Sequence, residues 1–161
     1  LKDNGTPSST MRDGTPKGYA ILNIEGNHYS FDYKVVGKPA SYQIDVYGAS
    51  VLPEKYTKRY PVYANFFIGR EGDKVDYRIN QGDWKTMKYV NEGDPAFLKS
   101  LAKYDTAEQL MTTRRPSNPE KSSHLWVTNL PKLKAGKYQL EIRAIDMFNR
   151  AHFATKSIVV E

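Results

Sequence analysis

The side chains best able to do chemistry in this chain are its three histidines, His28, His124 and His152. His28 ends the string Gly26-Asn27-His28, and an acidic string, Gly72-Asp73-Lys74-Val75-Asp76, follows at mid-chain. Imidazole and carboxylate are the ligand types that hold a pair of hydrolytic divalent cations. Such a centre needs ligands converging from several strand ends, and three histidines this far apart supply no local set. Both strings also fall where hairpin turns are expected, and turns favour Gly, Asn and Asp for their tolerance of left-handed backbone. His124 follows Ser122-Ser123, but no glycine-flanked elbow presents either serine over an oxyanion hole. The chain has no cysteine, so it lacks a thiolate nucleophile, a thiolate metal site and a disulfide framework. Its glycines stand singly at turns, and none opens a helix as a phosphate-cradling loop requires. The expectation is a chain with no catalytic residue and no metal ligand of its own.

Binding candidates are better represented. Trp84 and Trp126, with Tyr42 and Tyr47, are the types that stack on a sugar ring. The opposing reading is packing between sheets, since both tryptophans fall in strongly alternating stretches. Arg114-Arg115 is a candidate clamp for an anion or for an acidic surface on a neighbouring domain; the alternative is an ordered loop whose arginines cap carbonyls or stay solvated. Arg114, Arg115, Trp84 and Trp126 are therefore the candidate docking or ligand surface. Asp146, closing a strand before a turn, is assigned an architectural role as acceptor of backbone hydrogen bonds.

The elements that must position these residues are strands. Twelve tyrosines and six phenylalanines in 161 residues favour pleated, half-buried surfaces, and one domain of this length buries a core unaided. Residues 1–16 are rich in Gly, Pro, Ser, Thr and Asp and read as a linker or arm, with a single domain over 17–161. Alternation then predicts a hairpin, 19–24 and 29–35 about Glu25-Gly26-Asn27, and a strand over 41–47 with Ile44 and Val46 inward. A Pro- and Lys-rich loop over 52–61 is expected to cross between sheets, before an apolar central strand over 63–68. A second hairpin pairs 74–79 with 84–89 about Asn80-Gln81-Gly82-Asp83. One helix is signalled over 94–104, with Asp94 as N-cap, Pro95 at its first position, and Phe97, Leu98, Leu101 and Tyr104 on one stripe. Residues 105–122 form a long loop with a further helical turn around Gln109. Strands over 124–128, 136–145 and 151–160 complete the pattern. The fold class is all-β, an antiparallel sandwich of immunoglobulin or fibronectin type with one short helix in a loop insertion.

The net charge of +6 arises from 24 basic and 18 acidic residues spread along the chain, without the run that nucleic acid binding requires. No segment has the apolar length of a membrane span or a signal peptide. A chain opening at Leu1 is expected to come from a longer polypeptide.

Several strings, in their order and spacing, resemble the C-terminal domain of calcineurin-like metallophosphoesterases. They are Met11-Arg12-Asp13-Gly14-Thr15-Pro16-Lys17-Gly18-Tyr19, Tyr33-Lys34 with Gly37-Lys38-Pro39 and Tyr42-Gln43-Ile44, Arg114-Arg115-Pro116-Ser117-Asn118-Pro119, Ser123-His124-Leu125-Trp126 and Arg143-Ala144-Ile145-Asp146-Met147-Phe148. The resemblance spans about 11–161. It implies a sandwich without catalytic residues, appended in cis to a catalytic domain that carries the divalent metal pair, in exported, periplasmic or extracellular proteins. The Gly-Asn-His and Gly-Asp fragments match pieces of that enzyme's metal motifs. They stand in reverse order, with Tyr29 where an acid belongs, and no Asp-x-His or Gly-His-x-His accompanies them. The function expected is an accessory module docking on or stabilising the phosphohydrolase domain. The alternative is a module that binds a glycan or another polymer.

Overall fold

The computed structural model describes residues 10–109, 112 and 114–161. Antiparallel strands dominate it. The hairpin comprises β1 (Gly18–Glu25) and β2 (His28–Val35), turning on Gly26 at φ +62°, which a residue with a Cβ adopts only at a cost. β3 (Ile44–Tyr47) and β4 (Val51–Leu52) follow, and a 3₁₀ turn over Glu54–Arg59 leads to β5 (Pro61–Phe66). Then come β6 (Lys74–Ile79), β7 (Lys85–Thr86) and β8 (Lys88–Gly93). Helix α1 (Pro95–Asp105) precedes β9 (Lys121–Asn129), β10 (Gly136–Ile145) and β11 (Ala151–Val160).

These strands form a four-stranded sheet, β3-β5-β9-β8, a five-stranded sheet, β4-β11-β10-β6-β7, and the separate β1-β2 ribbon. Strands β5 and β10 lie inside their sheets, and their alternate residues point into one shared core. Val62, Ala64, Phe66 and Trp126 enter it from the first sheet, and Val75, Tyr77, Leu140, Ile142, Ala144, Ile158 and Val160 from the second. The 52–61 segment does cross between sheets, since β4 pairs with β11 in one and β5 with β3 and β9 in the other. The helix begins as its capping signal indicates, with Asp94 Oδ1 accepting from the Phe97 N–H at 2.8 Å and Pro95 at the first position. Phe97 and Leu101 are buried, whereas Leu98 stays open to solvent.

Two expectations change, and a third is not tested. The 84–89 stretch is not one strand: Met87 is buried, its N–H bonds Val75 C=O, and the chain leaves the five-stranded sheet as β7 to enter the four-stranded sheet as β8. Trp84 consequently lies before β7, outside any strand. Residues 10–16 pack on the body, with Thr10 bridged to Pro16 and with Gly14 and Thr15 buried. Gly, Pro and Asp serve a tightly turned ordered segment as readily as a linker, which is why composition suggested a loose arm; residues 1–9 lie outside the described residues. The helical turn around Gln109 runs into positions 110, 111 and 113, also outside them.

Tyr138, near the start of β10, donates its Oη–H to the Lys134 carbonyl at 3.0 Å, closing the corner by which the chain enters that strand. Tyr138→Phe removes this bond and little else. It should lower stability by about 1 kcal/mol, read as a shift of the urea midpoint at unchanged slope.

Candidate functional site

His124 stands at the centre of the most concentrated polar cluster. Its Nδ1 lies 2.8 Å from Asn65 Oδ1 and 3.3 Å from Ser122 Oγ, and its Nε2 lies 3.1 Å from Thr15 Oγ1 and 3.4 Å from Asp13 Oδ2. Serine, histidine and aspartate in sequence of contact is the composition of a hydrolytic triad. The hydrogen bonds argue otherwise. Asn65 Nδ2 donates to Asp94 Oδ2 at 3.0 Å, which orients the amide so that its oxygen faces the ring. Nδ1 must then carry the proton and donate it, so it has no lone pair with which to take a proton from Ser122. Ser122 is also fully buried, out of reach of any substrate.

The cluster works as a clasp. It binds the 12–16 segment to β5, β9 and the cap of α1, joining residues more than a hundred positions apart. Gly14, at φ +88°, lies so close to the Asp94 side chain that a Cβ there would sit 2.3 Å from the Asp94 carboxyl carbon. Arg12 extends the clasp through a 2.6 Å ion pair with Glu120 and a bond to the Asn118 carbonyl. With Nδ1 donating to Asn65, Nε2 donates to Asp13 in the imidazolium form, and that hydrogen bond holds the Asp13 carboxyl down at about 2 against the opposing effect of partial burial, with the Thr15 N–H assisting. A lowered carboxylate contributes stability that is complete above its unfolded value of 3.8 and vanishes as the pH falls toward 2. Asp13→Asn should therefore cost about 1 kcal/mol at about pH 5, allowing for its partial exposure, and nothing near pH 2. Urea titrations of both proteins between those limits check this.

The four residues proposed as a surface do not come together. Trp126 is 2% exposed in the core, against Tyr89 and Phe66, and offers no face to a ligand. Trp84 is half-buried, with the Arg78 and Arg143 guanidiniums each 4.5 Å from its ring centroid. These cations occupy the π surface that a sugar would need. Both arginines are themselves paired, Arg143 with buried Asp76 at 2.8 Å and Arg78 with Glu141 at 2.7 Å. Arg115 holds Asp105 through two bonds, at 2.6 and 3.0 Å, and bonds the Pro116 carbonyl and the Asn118 side chain, so it orders its own loop. Arg114 is exposed beside it. Tyr42 packs edge-on to Phe67.

The acidic and imidazole fragments stay apart as well. His28 opens β2 on the ribbon, Asp73 accepts from the Arg70 N–H, and Asp76 is engaged by Arg143, Thr86 and Lys74. Among the described residues no three His, Asp or Glu side chains are placed to share a cation. Asp146 has the architectural role expected of it. Oδ1 accepts the Phe148 and Arg150 N–H groups, each at 2.9 Å, and Oδ2 meets Arg150 Nε at 2.8 Å and His152 Nε2 at 3.0 Å. Burial would raise its pKa, but the Arg150 N–H, His152 and the Arg150 guanidinium together hold it below the usual carboxylate value.

Sequence reasoning missed the surface that is most open. Pairing in the ribbon places Ala20, Leu22 and Ile24 of β1 on one face with Tyr33, Phe31 and Tyr29 of β2. Phe148 packs edge-on to Tyr29 and Phe31, and Phe67 to Tyr33. Leu22 at 61%, Ile24 at 66% and Tyr29 at 57% remain open. Tyr19 and Ile21 are open on the opposite face, and every residue of β1 is exposed. Arg150 fastens the ribbon to the body, reaching Asp32 at 2.6 Å and the Phe31 carbonyl at 2.7 Å while it holds Asp146. Apolar residues at both parities of β1 were the available signal, because a strand half-buried on its own body shows them at one.

A family model described as the C-terminal of calcineurin-like phosphoesterase matches residues 1–152. No curated protein matches the chain. Among the described residues no helix is long and apolar enough to cross a membrane.

Proposed function

We propose that this chain, which belongs to the family of C-terminal domains of calcineurin-like phosphoesterases, is a non-catalytic module that docks in cis on the phosphoesterase domain. The metal pair and the hydrolytic chemistry belong to that catalytic domain, and the module's task is to bind and brace it. The observation that carries this reading is the open apolar face of the ribbon, Leu22, Ile24 and Tyr29 beside Phe148. An apolar ledge of this kind, standing away from the protein's own core, is what an interaction surface leaves when its partner is missing. We read the body as an immunoglobulin-like sandwich. The orders β3-β5-β9-β8 and β4-β11-β10-β6-β7 correspond to the two sheets of that fold, and the Tyr138 bond to the Lys134 carbonyl corresponds to its tyrosine corner.

Leu22→Asp with Ile24→Asp places two charges on the ledge. In the isolated chain these open positions should change stability by no more than about 0.5 kcal/mol each. In the full polypeptide the pair should release the module, raising the radius of gyration in X-ray scattering and exposing the interdomain junction to protease. A full polypeptide as compact and protease-resistant with the two aspartates as without them would overturn the docking reading.

A further inference from the structure

We infer that β1 docks by strand addition, its free backbone edge pairing with an edge strand of the phosphoesterase domain; this rests on the docking reading above and specifies its geometry. The pairing runs without a break from Gly18↔Val35 to Glu25↔His28. The bond from the Val36 N–H to the Lys17 carbonyl sets its alternation. Tyr19, Ile21, Asn23 and Glu25 therefore exchange their backbone bonds with β2, and the N–H and C=O groups of Gly18, Ala20, Leu22 and Ile24 point the other way. Among the described residues no strand lies along that side.

Among the described residues the edge strands of the two sheets are blunted, and the outer side of β2 faces the body, its Phe31 carbonyl taken by Arg150 and its Tyr33 carbonyl by Gln43. β4 and β7 are two residues long, β3 is four, and β8 breaks register between Val90 and Glu92. The part of β11 that β4 leaves unpaired carries Lys156 in register with the core residue Leu140, an inward-pointing charge that discourages pairing. These are the devices by which sheet proteins avoid edge-to-edge association. β1 has none of them: eight residues with no proline, lysine, arginine or bulge, and one acid at its last position. A two-stranded ribbon is marginal by itself in water, so an edge left unprotected in one is built to be covered. Apolar side chains at both parities, Ile21 against Leu22 and Ile24, match a strand covered on both faces once paired.

The occupant is the catalytic domain because the family places that domain ahead of this one in the same polypeptide, and tethering supplies a local concentration on the order of millimolar. The entry path agrees. The 10–16 segment is clasped to the body, and the Pro16 carbonyl accepts from Tyr33 Oη in β2 at 2.5 Å, so a preceding domain joins the chain at the base of the ribbon.

Residue-resolved amide exchange on the full polypeptide and on this chain alone tests the inference. Strand addition predicts that Ala20, Leu22 and Ile24 amides exchange on the order of 100-fold more slowly in the full polypeptide. The inward amides of Tyr19, Ile21 and Asn23 should be protected in both. Solvent shielding of the Leu22, Ile24 and Tyr29 side chains without slowing of those three amides would overturn strand addition and leave docking standing. Absence of both effects would remove both. Protection of the three amides in the chain alone, rising with its concentration, would assign the edge to a second copy and overturn the proposed occupant.

Discussion

Trp126→Ala should lower the stability of the chain by about 4 kcal/mol, the largest effect expected of any single change here. The indole is 2% exposed, lies 5.5 Å edge-on to Tyr89 and 6.3 Å from Phe66, and belongs to the core that both sheets share. The surroundings are already tight. A Cβ at Gly69 would fall 2.7 Å from both Trp126 and Phe66, so the backbone there has closed onto the rings and has little room to collapse further. Phenylalanine at 126 should recover more than half of the loss, because the aromatic contact with Tyr89 is retained. Urea unfolding checks both variants. Trp84 is the other of the two tryptophans in the chain and survives as the fluorescent probe in each.

Arg150→Ala should cost about 3 kcal/mol and loosen the ribbon more than the body. One guanidinium serves buried Asp146, Asp32 of β2 and the Phe31 carbonyl, and it lies 5.1 Å from the Phe148 ring centroid. Removing it leaves a carboxylate only 1% exposed without its charged partner. The loss is bounded because Asp146 keeps two backbone donors and His152. Arg150→Lys should recover little, since one ammonium does not bridge three acceptors that a planar fork reaches together. Amide exchange separates this outcome from general destabilisation. Protection should fall in β1 and β2 by more than in β5 and β10; a uniform fall would sink the assignment of Arg150 as the fastening of the ribbon. In the full polypeptide the same variant should weaken docking without altering any residue of the ledge.

Much of this architecture was legible in order of residues alone. Strand alternation placed β10 and β11 at their observed limits, and the Asp94-Pro95 pair marked the start of α1. Asp146 was legible because a carboxylate ahead of a turn finds donors within four residues. Trp84 and Trp126 were not separable in this way. Both stand among alternating neighbours, yet one lies under two arginines outside the sheet and the other fills the core. The difference came from the switch at Met87, where the chain passes from one sheet to the other.

Alternation is a local property, and it determined where the strands run, where they turn, and that side chains of one parity differ from those of the other. Tertiary structure alone decided what covers each face. The clasp around His124 joins Asp13, Asn65 and Asp94 across long stretches of chain, and no spacing rule links them. The ribbon was legible as a hairpin but not as one standing apart from the two sheets, since burial is settled by which surfaces meet when the chain closes. The same apolar residues that would fill a core in a central strand are left, on β1, facing outward on a strand that is paired on one side only among the described residues.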